Sequence, residues 1–94
     1  MKKMTKLKRK RKEIDLMDRK LLSLLNQRLH VSLEIGKIKK RMGEKIYDPN
    51  REKEVLERLT TRNRGPLEEK DLEKVFKTIM SISRRSQNRI KSKR

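Results

Sequence analysis

Apolar residues recur at helical spacing through nearly the whole first half of the chain. Stepping by i, i+3/i+4, i+7 gives Leu7, Arg11, Ile14, Leu21, Leu25, Arg28, Ser32, Ile35, Lys39 and Met42, one face of a single long helix that runs from about Leu7 to Met42 and ends at Gly43. Gly36 lies inside it, where glycine costs about 1 kcal/mol relative to alanine unless close packing or a ligand needs the space. Asp48-Pro49 then predicts a second helix, with Asp48 as N-cap and Pro49 at the first helical position, where its missing N–H costs nothing. That helix turns Val55, Leu56 and Leu59 inward and stops near Asn63 to Pro66. A third runs from about Glu68 to Ile90, with Leu72, Phe76, Ile79, Ser83, Gln87 and Ile90 as its inward stripe. No alternating run suggests a strand, and helix formers dominate throughout. The pattern predicts an all-α chain of three helices, one of them very long.

The stripes are interrupted by polar residues, and the interruptions carry information. Arg28 and Lys39 are eleven residues apart, almost three turns, so both cations sit on one otherwise apolar face about 16 Å apart along the axis. Ser32, one turn after Arg28, is the small side chain between them and leaves room for a ligand gripped from both ends. Either the long basic side chains snorkel out to water or an anionic partner meets them; spacing alone leaves both open. In the third helix, Ser83 and Gln87 likewise stand where apolar residues are expected.

Length argues for assembly. A helix of about 35 residues is roughly 50 Å long, whereas a compact domain of 94 residues has a radius of gyration near 12 Å. The long helix must project, and its apolar face is stable only under a second chain, most simply in a two-fold dimer whose long helices exchange ends. Composition agrees: 31% apolar residues, one Phe, one Tyr and no Trp make a thin core for a solitary monomer.

The absence of cysteine excludes a disulfide framework or a thiolate metal site and fits a cytoplasmic location. No apolar run is long enough for a signal peptide or a membrane span, so the chain is expected to be soluble, with no membrane partner. The formal charge of +17 suits capture of anions. It is concentrated at the ends, in Lys2, Lys3, Lys6 and Lys8 to Lys12, then Arg84, Arg85, Arg89, Lys91, Lys93 and Arg94. Residues 1–6 and 91–94 are expected to be basic tails.

The polar groups on inward faces or at a helix start are Arg11, Arg28, Lys39, Asp48, Arg51, Glu52, Ser83 and Gln87, and four of them are cations. Guanidinium suits bidentate carboxylate binding, ammonium supplies a compact charge, and Ser or Gln adds neutral hydrogen bonds. No nucleophile–base pair, metal cluster or phosphate loop accompanies them: His30 is the sole histidine and reads as an ordinary helix residue, and the three glycines do not cluster. The set points to a site for a small polycarboxylate that works by electrostatics and shape.

Arg11, the segment Ile14-Asp15-Leu16-Met17-Asp18-Arg19-Lys20-Leu21-Leu22-Ser23-Leu24-Leu25-Asn26-Gln27-Arg28, then Gly36-Lys37-Ile38-Lys39, Asp48-Pro49-Asn50-Arg51-Glu52 and Ser83-x-x-x-Gln87 closely resemble the all-helical bacterial chorismate mutases. The resemblance covers about residues 7–90, and its specificity lies in the ordered set. It implies an intertwined homodimer of three-helix chains that converts chorismate to prephenate by a Claisen rearrangement, with no cofactor and no metal. It also implies roles. Arg28 and Arg51 hold substrate carboxylates, joined by Arg11 from the other chain. Lys39 and Gln87 donate to the ether oxygen. Glu52 takes the ring hydroxyl, helped by the backbone at Asp48, and Ser83 hydrogen-bonds near a carboxylate. The donation of Arg11 across the dimer also follows from spacing, because Arg11 and Lys39 are 28 residues apart, about 42 Å of straight helix and too far for both to touch one small ligand. Arg84 and Arg85 depart from the family, which commonly has aliphatic residues there, and are expected to add charge beside a site already rich in cations.

Two other readings compete. An isochorismate pyruvate lyase of the same fold uses a similar cation set, but its pattern matches less well at Glu52. A small basic nucleic-acid-binding protein would explain the tails, but not charges inside apolar stripes, and base-stacking aromatics are almost missing.

Overall fold

The structure is a computed structural model and describes residues 2–90, with side chains for residues 5–90. The C-terminal basic tail, 91–94, lies outside the described residues, as do the side chains of Lys2 and Lys3. Three helices follow in order: α1 (Lys2–Met42), α2 (Pro49–Arg62) and α3 (Glu69–Asn88). No strand occurs among the described residues.

Helix α1 begins five residues before the predicted start at Leu7, so residues 2–6 are helix rather than an irregular tail. Hydrophobic spacing is nearly silent over residues 2–6, where Met4 is the one apolar residue, but Lys and Met lose little rotamer freedom in a helix and let it continue. Its other end is where Gly43 predicts it. Gly43 adopts φ 71°, and the bonds Gly43 N–H to Lys40 O at 3.3 Å and Glu44 N–H to Lys39 O at 2.8 Å close the helix in a Schellman motif. Helix α2 starts as expected, with the Asp48 carboxylate accepting from Arg51 N–H at 3.0 Å and Pro49 in the first turn.

The chain divides into two compact units, Met1–Val31 and Ser32–Arg94. In the first, the stripe expected to face a core is open to solvent: Leu7, Ile14, Leu21 and Leu25 are all exposed, Ile14 and Leu21 at 55%. Apolar exposure is also wider than one stripe. Met17, Leu24 and Val31, at seven-residue spacing, form a flanking line and are 58%, 61% and 54% exposed. A single chain therefore does not supply the cover that this apolar surface requires.

The second unit holds the end of α1, the joining loop, α2 and α3. Helices α2 and α3 pack against each other, with Val55, Leu56, Leu59, Phe76 and Ile79 half-buried. Leu72 and Met80 are the buried large apolar side chains among those described, each 4% exposed. Met80 corrects the predicted stripe. It stands three residues before Ser83 and seven before Gln87, so it shares their face, and it is buried while Ile79 is half-buried.

Candidate active site

Two inward polar groups of the second unit, Ser83 and Gln87, lie on α3, and Gln87 meets the last third of α1. Ser83 and Gln87, one turn apart on α3, are 8% and 6% exposed, as their place in the stripe predicts. Gln87 Nε2 donates to the carbonyl oxygen of Ser32 at 2.6 Å. This contact depends on Gly36. A Cβ at that position would stand 2.9 Å from Gln87 Cγ and 3.1 Å from Ile90 Cδ1, so a larger residue would push the Gln87 side chain from its place, and glycine lets α3 approach this closely. Close packing is thus the reason for a glycine inside the helix.

Lys39 lies one turn beyond Gly36 on α1 and is half-buried. Its Nζ donates to the Ile46 carbonyl at 3.0 Å, tying the end of the helix to the loop that leads into α2. Both groups are anchored by one bond and keep donors in reserve. An ammonium has three N–H groups and a primary amide two, so each retains at least one for another acceptor.

Glu52, in the first turn of α2, is held from α3. The Nη1 atom of Arg84 lies 2.5 Å from both Oε1 and Oε2 of Glu52, and the Arg84 guanidinium carbon stands 4.7 Å from the centroid of the Tyr47 ring. This corrects the expectation for Arg84, whose charge is compensated by Glu52 and does not simply add to the cations of the site. Arg85, pointing elsewhere on the helix, is exposed. Tyr47 carried no sequence signal of its own, although the chain's only tyrosine, placed beside a helix cap, is a place to look for one.

The remaining predicted residues are less tightly gathered. Asp48 spends its carboxylate on capping α2. Arg51 is exposed and pairs with Glu54 at 2.6 Å on its own helix, and Glu54 also takes Arg58 at 3.1 Å. Arg11 and Arg28 belong to the Met1–Val31 unit, in which Arg11 is exposed and Arg28 half-buried. Among the described residues no group of three or more His, Asp or Glu side chains comes together that could hold a metal ion. No helix among them is long and apolar enough to cross a membrane.

Three helices without strands, with a buried amide, a buried hydroxyl and a half-buried ammonium on their inward faces, define an all-helical domain that keeps its polar chemistry inside the helix packing. The family model for chorismate mutase type II matches residues 10–88, and the chain belongs to that family. It is similar to the bifunctional chorismate mutase/prephenate dehydratase of Aquifex aeolicus, 34% identical over 92 residues, which are 94% of this chain and 25% of that protein. It is also similar to the chorismate mutase of Methanocaldococcus jannaschii, 39% identical over 49 residues, 52% of this chain and 50% of that protein. The chain thus spans about a quarter of the length of the bifunctional relative. Among solved structures it resembles chorismate mutase (form II) from Thermus thermophilus, with TM-score 0.89, 36% identity and coverage of 93% of this chain and 99% of that one. It also resembles chorismate mutase from Helicobacter pylori in complex with prephenate, with TM-score 0.81, 36% identity and coverage of 90% and 97%.

Proposed function

We propose that this chain is a chorismate mutase, an intramolecular isomerase that rearranges chorismate to prephenate for phenylalanine and tyrosine synthesis in the cytoplasm, without a cofactor. The observation that carries the reading is the pair of anchored donors: Lys39 and Gln87 are each fixed by one backbone carbonyl and each keeps an N–H to give. In the rearrangement the ether C–O bond breaks as a C–C bond forms, and negative charge grows on the ether oxygen. Donors already oriented at that oxygen stabilise the transition state more than the substrate, and each is worth about 3–4 kcal/mol in comparable sites. Arg11, Arg28 and Arg51 bind the two carboxylates and select the chair-like conformer, Ser83 assists at a carboxylate, and Glu52 and the Asp48 backbone take the ring hydroxyl. These roles rest on the family resemblance and on the residue chemistry. The prephenate bound by the Helicobacter pylori relative is consistent with them.

The working form in this reading is a homodimer in which Arg11 crosses to the partner's site. Its support is the open apolar surface of Ile14, Met17, Leu21 and Leu24, together with the thin core around Leu72 and Met80. Purified protein is expected to consume chorismate, followed by loss of its absorbance, with prephenate as the product. Release of pyruvate from isochorismate, with chorismate untouched, would assign the chain to the lyase chemistry instead.

A further inference from the structure

Arg84 links three segments of the second unit through one guanidinium. It rises from α3, its Nη1 meets both carboxylate oxygens of Glu52 at 2.5 Å in the first turn of α2, and its guanidinium carbon lies over the ring of Tyr47 in the α1–α2 loop. The residue before Tyr47, Ile46, accepts the bond from Lys39. The residue after it, Asp48, caps α2. The ion pair is sheltered, with the two side chains 32% and 24% exposed, so both charges are partly withdrawn from water.

We propose that Arg84 is a positioning residue for the rearrangement, acting through Glu52: it fixes the carboxylate in one orientation and so presents the substrate's ring hydroxyl with an oriented acceptor. The inference rests on the mutase reading above. A glutamate side chain has several rotatable bonds, and a substrate that had to order it would lose part of the benefit of the hydrogen bond. The Arg84 nitrogen sits astride the two oxygens and uses the edge they share. A carboxylate offers about four lone-pair sites, so acceptor capacity remains for a hydroxyl. Arginine suits this task better than lysine, because a planar guanidinium stacks on an aromatic ring while donating in its own plane. Tyr47 supplies that ring and thereby fixes the fixer.

The test compares wild type, Arg84→Ala, Arg84→Lys and Glu52→Ala with the double variant Arg84→Ala/Glu52→Ala. Each is assayed on chorismate and on a chorismate analogue with hydrogen in place of the ring hydroxyl, and thermal unfolding is followed for each. Arg84→Ala is expected to lower kcat/KM for chorismate about tenfold and for the analogue less than about twofold, since misplacing one acceptor matters only to the substrate that uses it. In the Glu52→Ala background the Arg84→Ala change is expected to cost nothing more, and Arg84→Lys to recover part of the loss. If Arg84→Ala does not fold, Arg84→Met, which keeps the buried stem, takes its place. Equal losses on the two substrates, or losses that multiply in the double variant, overturn the proposal while leaving the mutase reading intact. A folded wild type that does not convert chorismate overturns both.

Discussion

Gln87 Cγ lies 2.9 Å from the point where a Cβ would stand on Gly36, so the position of a proposed ether-oxygen donor on α3 is set by the missing side chain of a residue on α1. The bond from Gln87 to the Ser32 carbonyl spans 55 positions of the chain and forms because this approach is open.

Gly36→Ala is therefore expected to injure activity more than stability. Alanine recovers about 1 kcal/mol of helix propensity, which offsets part of an overpacking cost of about 1–3 kcal/mol. Gln87 must move to admit the methyl group, and a displacement of about 1 Å at a reacting centre can cost about a hundredfold in rate. Turnover should fall at least about tenfold, with a net loss of stability of at most about 2 kcal/mol. Normal turnover in a destabilised variant would remove Gln87 from the chemistry.

Gln87 donates through an amide that does not titrate, so the wild-type rate is expected to be broad across neutral pH. In Gln87→Glu only the protonated acid donates to the ether oxygen. Its rate is expected to be highest at low pH and to fall as pH rises through the pKa of the new carboxyl group. A flat profile for this variant would show that position 87 is not the donor.

The charge of +17 is expected to speed capture of a dianionic substrate without contributing to the chemical step, because long-range attraction acts on association and is screened by salt. Raising ionic strength from about 0.01 M to 0.15 M, which shortens the screening length from about 30 Å to 8 Å, should mainly raise KM. An unchanged KM with a collapse of turnover would contradict steering.

Arg11 and Lys39 are expected to serve one site from different chains. Arg11→Ala and Lys39→Ala homodimers should each be nearly inactive, whereas a mixed dimer contains one site with both changes and one with neither. Refolding an equimolar mixture makes half the dimers mixed, so about a quarter of all sites should be intact under two-fold symmetry. Activity no higher than that of the parents, with mixed dimers confirmed by mass, would rule out sharing.

The elements and their ends were legible in the sequence wherever the signal is local. Asp48-Pro49 and Gly43 act on the backbone beside them, and the capping bond at Arg51 N–H and the left-handed Gly43 follow from residue type alone. The inward placement of Ser83 and Gln87 was legible for a similar reason, since helical period assigns faces without knowing what covers them. The start of α1 at Lys2 was not, because a single apolar residue, Met4, sets no period ahead of Leu7.

Contacts between elements needed the tertiary structure. Spacing put Arg84 next to Ser83 but could not say that its guanidinium would meet Glu52, 32 positions away, or lie over Tyr47, and so counted as surplus charge what is a paired one. It marked Gly36 as costly, and only the packing of α3 showed that Gln87 and Ile90 occupy the space. A sequence pattern determines what each helix offers on each face, because that depends on neighbours three and four residues away. Which offered groups meet depends on how closely helices approach, and that is decided by side-chain volumes on two elements at once.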